Sequence, residues 1–250
     1  QGTQFAEYLN PEHGPIVAHG LTDSDWSAVA FGIADPEQLE LLWPRLRANP
    51  DFRYDGMPGG IAEHPDRYED WEVQGIDRHD VAAMGRVWLL QAMAAYRQSD
   101  GEELLGDLRR VAGRGAVDGY RYMERYFSKK TGFCGAYKIA TYCEYPANFI
   151  RIFQQYFQGV QPELRGAVTL APIVPIKQLD GTGQRLQLGD RELEYTYEAD
   201  GLRGSYRGSR STRIDLRLPG RPLLSVVMPA SETPRPFQLG NSADGLQPGQ

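Results

Sequence analysis

Tyr120-Arg121-Tyr122-Met123-Glu124-Arg125-Tyr126 and, a little further on, Tyr142-Cys143-Glu144-Tyr145-Pro146-Ala147-Asn148-Phe149 each set a carboxylate among aromatic rings. The second segment runs straight into an apolar helical pattern, Phe149, Ile150, Phe153 and Phe157, that ends at Gly159. Carboxylates in aromatic walls suit proton transfer at a glycosidic bond, while flat rings stack on sugar faces. Whether the stretch around Glu124 is a loop between helices or something else therefore decides both the fold and the chemistry.

Working outward from it, helical hairpins come first. Thr22 and Asp25 have capping-box spacing, and Trp26, Val29, Ala30 and Ile33 recur at helical intervals. Asp35, Pro36 and Gln38 start a second helix whose inner face is Leu39, Leu42, Trp43 and Leu46. The link between the two is short enough for an antiparallel hairpin. Residues 49–75 lose the periodicity to Gly56, Pro58, Gly59, Gly60 and Pro65, with Asp, Glu, Tyr and Trp filling the gaps. A loop of that length inside a domain points to function or disorder, and its aromatic content favours order. A broadly apolar helix is expected over 78–98 and another from Leu104 to about Ala112. The region 113–145 reads as loop with a possible sixth helix at 119–126, before the helix that starts at Pro146.

After Gly166 the pattern changes to short alternating runs, among them Val168 and Leu170, Leu193, Tyr195 and Tyr197, Ile214 and Leu216, and Val226 and Val227. These predict a compact antiparallel β module, followed by a Pro- and Gly-rich tail. The expected organisation is a helical portion over 1–165, a β-sandwich over 166–228 and a flexible tail over 229–250.

The totals exclude several classes. A net charge of -6 argues against nucleic acid or an anionic membrane as partner. No apolar run is long enough to span a bilayer. The chain opens without an initiator Met, as a processed or trimmed product would, and export is weakly favoured. Cys134 and Cys143 could form a small loop disulfide or remain two thiols. His13, His19 and His64 are scattered, no Cys/His ligand spacing occurs, and neither a metal nor a cofactor is implied.

Helical hairpins joined by aromatic-acidic loops and followed by a β-sandwich resemble the six-hairpin, (α/α)6-barrel glycoside hydrolases. Met123-Glu124-Arg125-Tyr126 is similar to the Glu-Lys-Tyr motif of trehalases and to the Trp-Glu-Arg-Trp motif of bacterial α-L-rhamnosidases. The passage from Tyr145 through Gly159-Val160 to Leu170-Ala171-Pro172 resembles the rhamnosidase segment where the last helix exits into the C-terminal sandwich. The resemblance covers 22 to about 220 and implies that Glu124 is the general base that activates water. A barrel of this class needs about twelve helices, and five clear ones are read here with a possible sixth. The resemblance therefore implies the second half of a barrel, completed by a second chain or by sequence preceding this one.

Each candidate has a plainer reading beside it. Glu124 is a general base or a carboxylate in ion pairs with Arg121 and Arg125; Tyr122 and Tyr126 wall a sugar site or pack beneath the loop. Glu144 touches substrate or complements the dipole of the helix it precedes. In Tyr68-Glu69-Asp70-Trp71-Glu72, Tyr68, Asp70 and Trp71 could hold a sugar and Glu69 could be the general acid, or the run is an acidic solvated loop. Asp23 and Asp25 flank Ser24 at a helix start next to Trp26: the Asp-x-Asp can hold a cation or a sugar, with Trp26 at the sugar contact, or serve as the helix cap, and His79-Asp80 reads more readily as structural. Lys129-Lys130 reads as a solvated loop tip. The leading expectation is an inverting glycoside hydrolase with a carbohydrate substrate. The alternatives are a polysaccharide lyase, disfavoured by the acidic loops, a phosphorylase, and a non-catalytic carbohydrate-binding or scaffold subunit.

Overall fold

The structure, a computed structural model, describes residues 4–73, 81–132, 141–163 and 166–240. These fall into two compact units, Gln1–Phe153 and Gln154–Gln250, a boundary earlier than the change in sequence pattern at Gly166.

The first unit opens with a small hairpin, β1 (Tyr8–Asn10) and β2 (Gly14–Ile16). Helix α1 (Asp23–Phe31) starts where the sequence places it: the Thr22 side chain accepts from the backbone of Ser24, and the Thr22 N–H donates to Asp25 at 2.8 Å. Gly32 ends it in the left-handed conformation, φ 69°. Helix α2 (Pro36–Ala48) has the reciprocal Asp35 and Gln38 cap, at 2.8 and 3.0 Å. Between α2 and the next helix the chain follows turns, short 3₁₀ segments and the two-residue strand β3 (Ala82–Ala83). Then come α3 (Gly85–Arg97) and α4 (Gly101–Val117), followed by β4 (Tyr126–Phe127), which pairs with β3, and α5 (Glu144–Ile152).

Among the described residues, the larger of two buried clusters joins α1, α2 and α3. Trp26, Val29 and Ala30 of α1 bury against Leu42 and Leu46 of α2, Phe52, and Ala94 of α3. Trp26 meets the rings of Trp43 and Phe52 edge-on, at 6.0 and 5.5 Å. Beside it, α3 packs on α1, α4 and α5. Gly85 allows that approach, because a Cβ there would lie 2.7 Å from the backbone of Glu144.

In the second unit the last helix continues as a π-helical turn over Phe153–Phe157 and gives way to strands. One sheet is formed by β5 (Val160–Pro162), β6 (Val168–Leu170), β10 (Thr212–Leu216) and β11 (Leu224–Met228), in the order β11-β10-β6-β5. The other has the order β12-β9-β8-β7, from β7 (Gly183–Leu188), β8 (Arg191–Glu198), β9 (Gly201–Gly208) and β12 (Ser231–Gly240); the short α6 (Ile176–Leu179) precedes it. Tyr195 and Tyr197 of β8 point into the interior and donate to the side-chain and main-chain oxygens of Gln158, at 2.9 and 2.6 Å.

Several expectations are corrected. The described residues form six helices and four small sheets, not the twelve helices of an (α/α)6 barrel. The fold is α+β, and the resemblance to six-hairpin glycosidases, rhamnosidases and trehalases does not hold at the level of architecture. The need for a second half-barrel falls with it. The physical reason lies in the connections: the stretch 49–73 and the described part of 113–143 past α4 are broken by turns and left-handed residues such as Asp55 (φ 50°) and Tyr120 (φ 60°), so further helices do not form. The possible helix at 119–126 is one of these irregular segments. The β-rich C-terminal part exists, but its first sheet pairs β10 with β6 in parallel, so the module is not purely antiparallel. The region expected to be a tail contributes β12, bulged between Ser231 and Arg235 and placed at the sheet edge, where Pro234 and Pro236 cost fewest ladder bonds. Helix α3 starts at Gly85, because Ala82–Ala83 is drawn into pairing with β4.

Candidate active site

The titratable side chains that converge most closely lie where the N-terminal hairpin meets the start of α1 and the turn at 68–72. His19 is wholly buried and held by two carboxylates: Nδ1 lies 2.6 Å from Glu7 Oε2 and Nε2 lies 3.2 Å from Glu72 Oε2. The Tyr68 ring stacks on the imidazole at 3.7 Å, and its hydroxyl donates to Glu7 Oε1 at 2.7 Å. The Tyr8 hydroxyl donates to Glu72 Oε1, and the backbone N–H of Glu69 donates to Glu72 Oε2 at 2.8 Å. All four carboxylate oxygens of Glu7 and Glu72 therefore have partners.

The electrostatics follow from that packing. Burial works against a charged His19, but the hydrogen bond and charge of Glu7, reinforced by Glu72, outweigh it and raise its pKa. Burial alone would raise Glu72; the bonds from Tyr8, the Glu69 N–H and His19 lower it. The imidazolium sits between two anions. Asp23, the first residue of α1, behaves differently. Burial, and then the charge of Glu7, push its carboxyl up to about 6, against the lowering effect of the Ser24 N–H. It keeps its proton far closer to neutrality than an ordinary aspartate does.

The residues singled out in the sequence are dispersed around this cluster. Tyr68 belongs to it. Glu69 and Asp70 are exposed, and Trp71, 47 % exposed, stacks on His13 at 4.3 Å. Asp25 is wholly buried and accepts from Phe5 and Thr22 N–H groups at 2.8 Å each, which is a capping role, and Trp26 is core. Glu144 pairs with Arg86 at 3.0 Å at the start of α5. Glu124 is mostly buried and lies 3.2 Å from the Arg125 guanidinium. Tyr122 and Tyr126 are buried around Tyr145, at 6.3 and 5.4 Å between ring centres, and the Tyr122 hydroxyl donates to Val111 O at 3.0 Å. His79-Asp80 lies outside the described residues, as does Cys134; Cys143 is exposed.

Glu7, Tyr8, His19 and Asp23 carry no local signal of a joint role. Their partners lie 12 to 64 positions away, so no window of sequence contains the constellation. A faint cue was available in Asp23, an acid beside the capping pair at a helix start next to Trp26.

Among the described residues no group of three or more His, Cys, Asp or Glu side chains could hold a metal ion. No described helix is long and apolar enough to cross a membrane. No family model matches the chain, and no curated protein matches it.

Proposed function

We propose that the protein hydrolyses glycosidic bonds, with Asp23 delivering the proton to the leaving oxygen. The observation that carries the reading is the proton held by Asp23 at a pKa of about 6, beside carboxylates fixed by His19. A carboxyl group that holds its proton towards neutrality is what protonation of a leaving glycosidic oxygen needs. His19 and Tyr68 act as positioning residues, because they hold Glu7, whose charge adds to burial in keeping Asp23 protonated. Trp71 supports a carbohydrate substrate: its exposed ring, levelled by His13, is a flat apolar face next in sequence to Glu72.

The acid protonates the glycosidic oxygen, a water molecule gives its oxygen to the anomeric carbon and its proton to solvent, and the sugar leaves as a hemiacetal. The test is release of reducing ends from a panel of polysaccharides and aryl-glycosides, with the anomer of the product followed by NMR. Asp23→Asn should lower the rate by about 10²–10⁴-fold with the fold intact. Equal rates in wild type and variant would overturn the assignment.

One observation favours a second reading. Because every oxygen of Glu7 and Glu72 is already partnered, the cluster also has the form of a latch tying the N-terminal hairpin to the 68–72 turn in a carbohydrate-binding protein without hydrolysis. Sugar binding with no product release by the wild type would select it.

A further inference from the structure

Two hollows adjoin on the first unit, and Asp23 lines neither of them. The larger, about 370 Å³, has Met123, Tyr126 and Phe127 as its floor. The smaller, about 240 Å³, runs along Pro50, Asp51 and Tyr54. They share Asp55, Ser128 and Lys129, so the three residues form a waist between them. The larger hollow falls within the size range of small-ligand sites, and it combines an apolar floor with a few polar groups.

Asp55 and Gly56 are the central residues of a tight turn between the bridged residues Tyr54 and Met57, with φ 50° and 79°, a conformation that suits an Asp-Gly pair. Arg114 reaches Asp55 O at 3.4 Å and Oδ2 at 3.2 Å, while its Nε is anchored on Asp118 at 2.5 Å. The other oxygen, Oδ1, faces Lys129 Nζ across 4.0 Å. That separation is too long for a direct hydrogen bond. A hydroxyl placed between them could donate to the carboxylate and accept from the ammonium. Lys129 is held by little else, being 88 % exposed along its side chain.

The charges around the hollows narrow the ligand. Lys130 is paired with Asp51 at 2.6 Å, Arg125 with Glu124 at 3.2 Å, and Arg53 with Glu103 and Asp107 at 2.5 and 3.3 Å. Each cation at the rim already has its anion, so an anionic ligand would gain little and would meet Asp51 and Asp55. A neutral, hydroxyl-rich molecule with an apolar face matches the half-buried Met123 and Phe127 below and the Asp55–Lys129 gap above. The second hollow beyond the waist gives room for a neighbouring ring.

We infer that the paired hollows form a binding groove for a neutral oligosaccharide, gripped at its waist by a sugar hydroxyl bridging Asp55 and Lys129. The groove binds without chemistry and does not depend on hydrolysis at Asp23.

Isothermal titration with short neutral gluco-, manno-, galacto- and xylo-oligosaccharides tests the inference, with the matching uronate oligomers as controls. At least one neutral series should bind, and Asp55→Gly and Lys129→Met should each weaken it about tenfold or more. Glycine keeps the left-handed backbone and Lys129 lies on the surface, so urea midpoints of both variants should show the fold preserved. Asp23→Asn should bind as tightly as wild type, which separates the groove from the proposed active site. The inference is overturned if no neutral sugar binds at millimolar concentration, if both groove variants bind normally, or if uronates bind better than neutral sugars.

Discussion

Asp23 sits at a helix start, where the backbone dipole favours a negative charge, yet it holds its proton because burial and Glu7 act more strongly in the other direction. The folded pKa lies above that of the unfolded chain. The resulting stability is therefore present below about pH 4 and lost as pH rises through about 6. Asp23→Asn should gain up to about 3 kcal/mol in urea unfolding at pH 8 and nothing at pH 4, a stabilisation obtained by discarding the proposed acid. Equal gains at both pH values would contradict this account of its environment. His19 shows the reverse dependence on partners. His19→Ala strands two carboxylates around a cavity, and a loss of about 3–5 kcal/mol is expected below pH 6, shrinking as pH rises and the wild-type imidazolium itself discharges. The capping roles of Thr22, Asp25, Asp35 and Gln38 were legible at this scale because both members of each pair lie three residues apart.

Between elements, the contacts that matter are those joining the irregular segments to the helices. Arg53, in the turn after α2, bridges Glu103 and Asp107 of α4 at 2.5 and 3.3 Å. Burial, with Asp107 as the nearest like charge, pushes Glu103 up to about 7 despite Arg53. Its stability contribution is complete at low pH and is lost as pH climbs through neutrality. Glu103→Gln should flatten the fall in urea midpoint between pH 5 and 8, and an unchanged slope would count against the pairing. On the other side of α3, the Tyr145 hydroxyl donates to Pro58 O at 2.7 Å from a wholly buried ring. Tyr145→Phe leaves that carbonyl unpaired and should cost about 1–3 kcal/mol, read from the thermal midpoint. The aromatic run around Glu124 that looked like a sugar wall is chiefly this packing. Tyr122 and Tyr126 enclose Tyr145, which stacks with Trp88 at 5.9 Å. Periodicity cannot tell an aromatic that lines a cleft from one that fills a core, since both need the same residue types.

At the scale of the molecule, the helix starts and the change to strands were readable, and the architecture was not. Short helices with good caps are compatible with many folds, and the five helices read from the sequence are present in the first unit without forming a barrel, the possible sixth being lost where Gly119 and Tyr120 turn the chain. The parallel pairing of β6 with β10 joins segments more than forty residues apart, a register no local alternation specifies. Likewise β12 was hidden by its prolines, which are tolerated only because the strand is an edge. The active-site cluster was hidden for the same reason, being assembled from four separate stretches of chain. The measurement that tests the central proposal most directly compares Asp23→Asn with wild type on aryl-glycosides of graded leaving-group acidity. If Asp23 is the proton donor, the variant loses about 10²–10⁴-fold on poor leaving groups and little on dinitrophenolate, which departs without protonation, and the alkaline limb of the wild-type pH profile near 6 disappears. A variant equally impaired on every leaving group, or one that keeps the alkaline limb, would contradict the assignment.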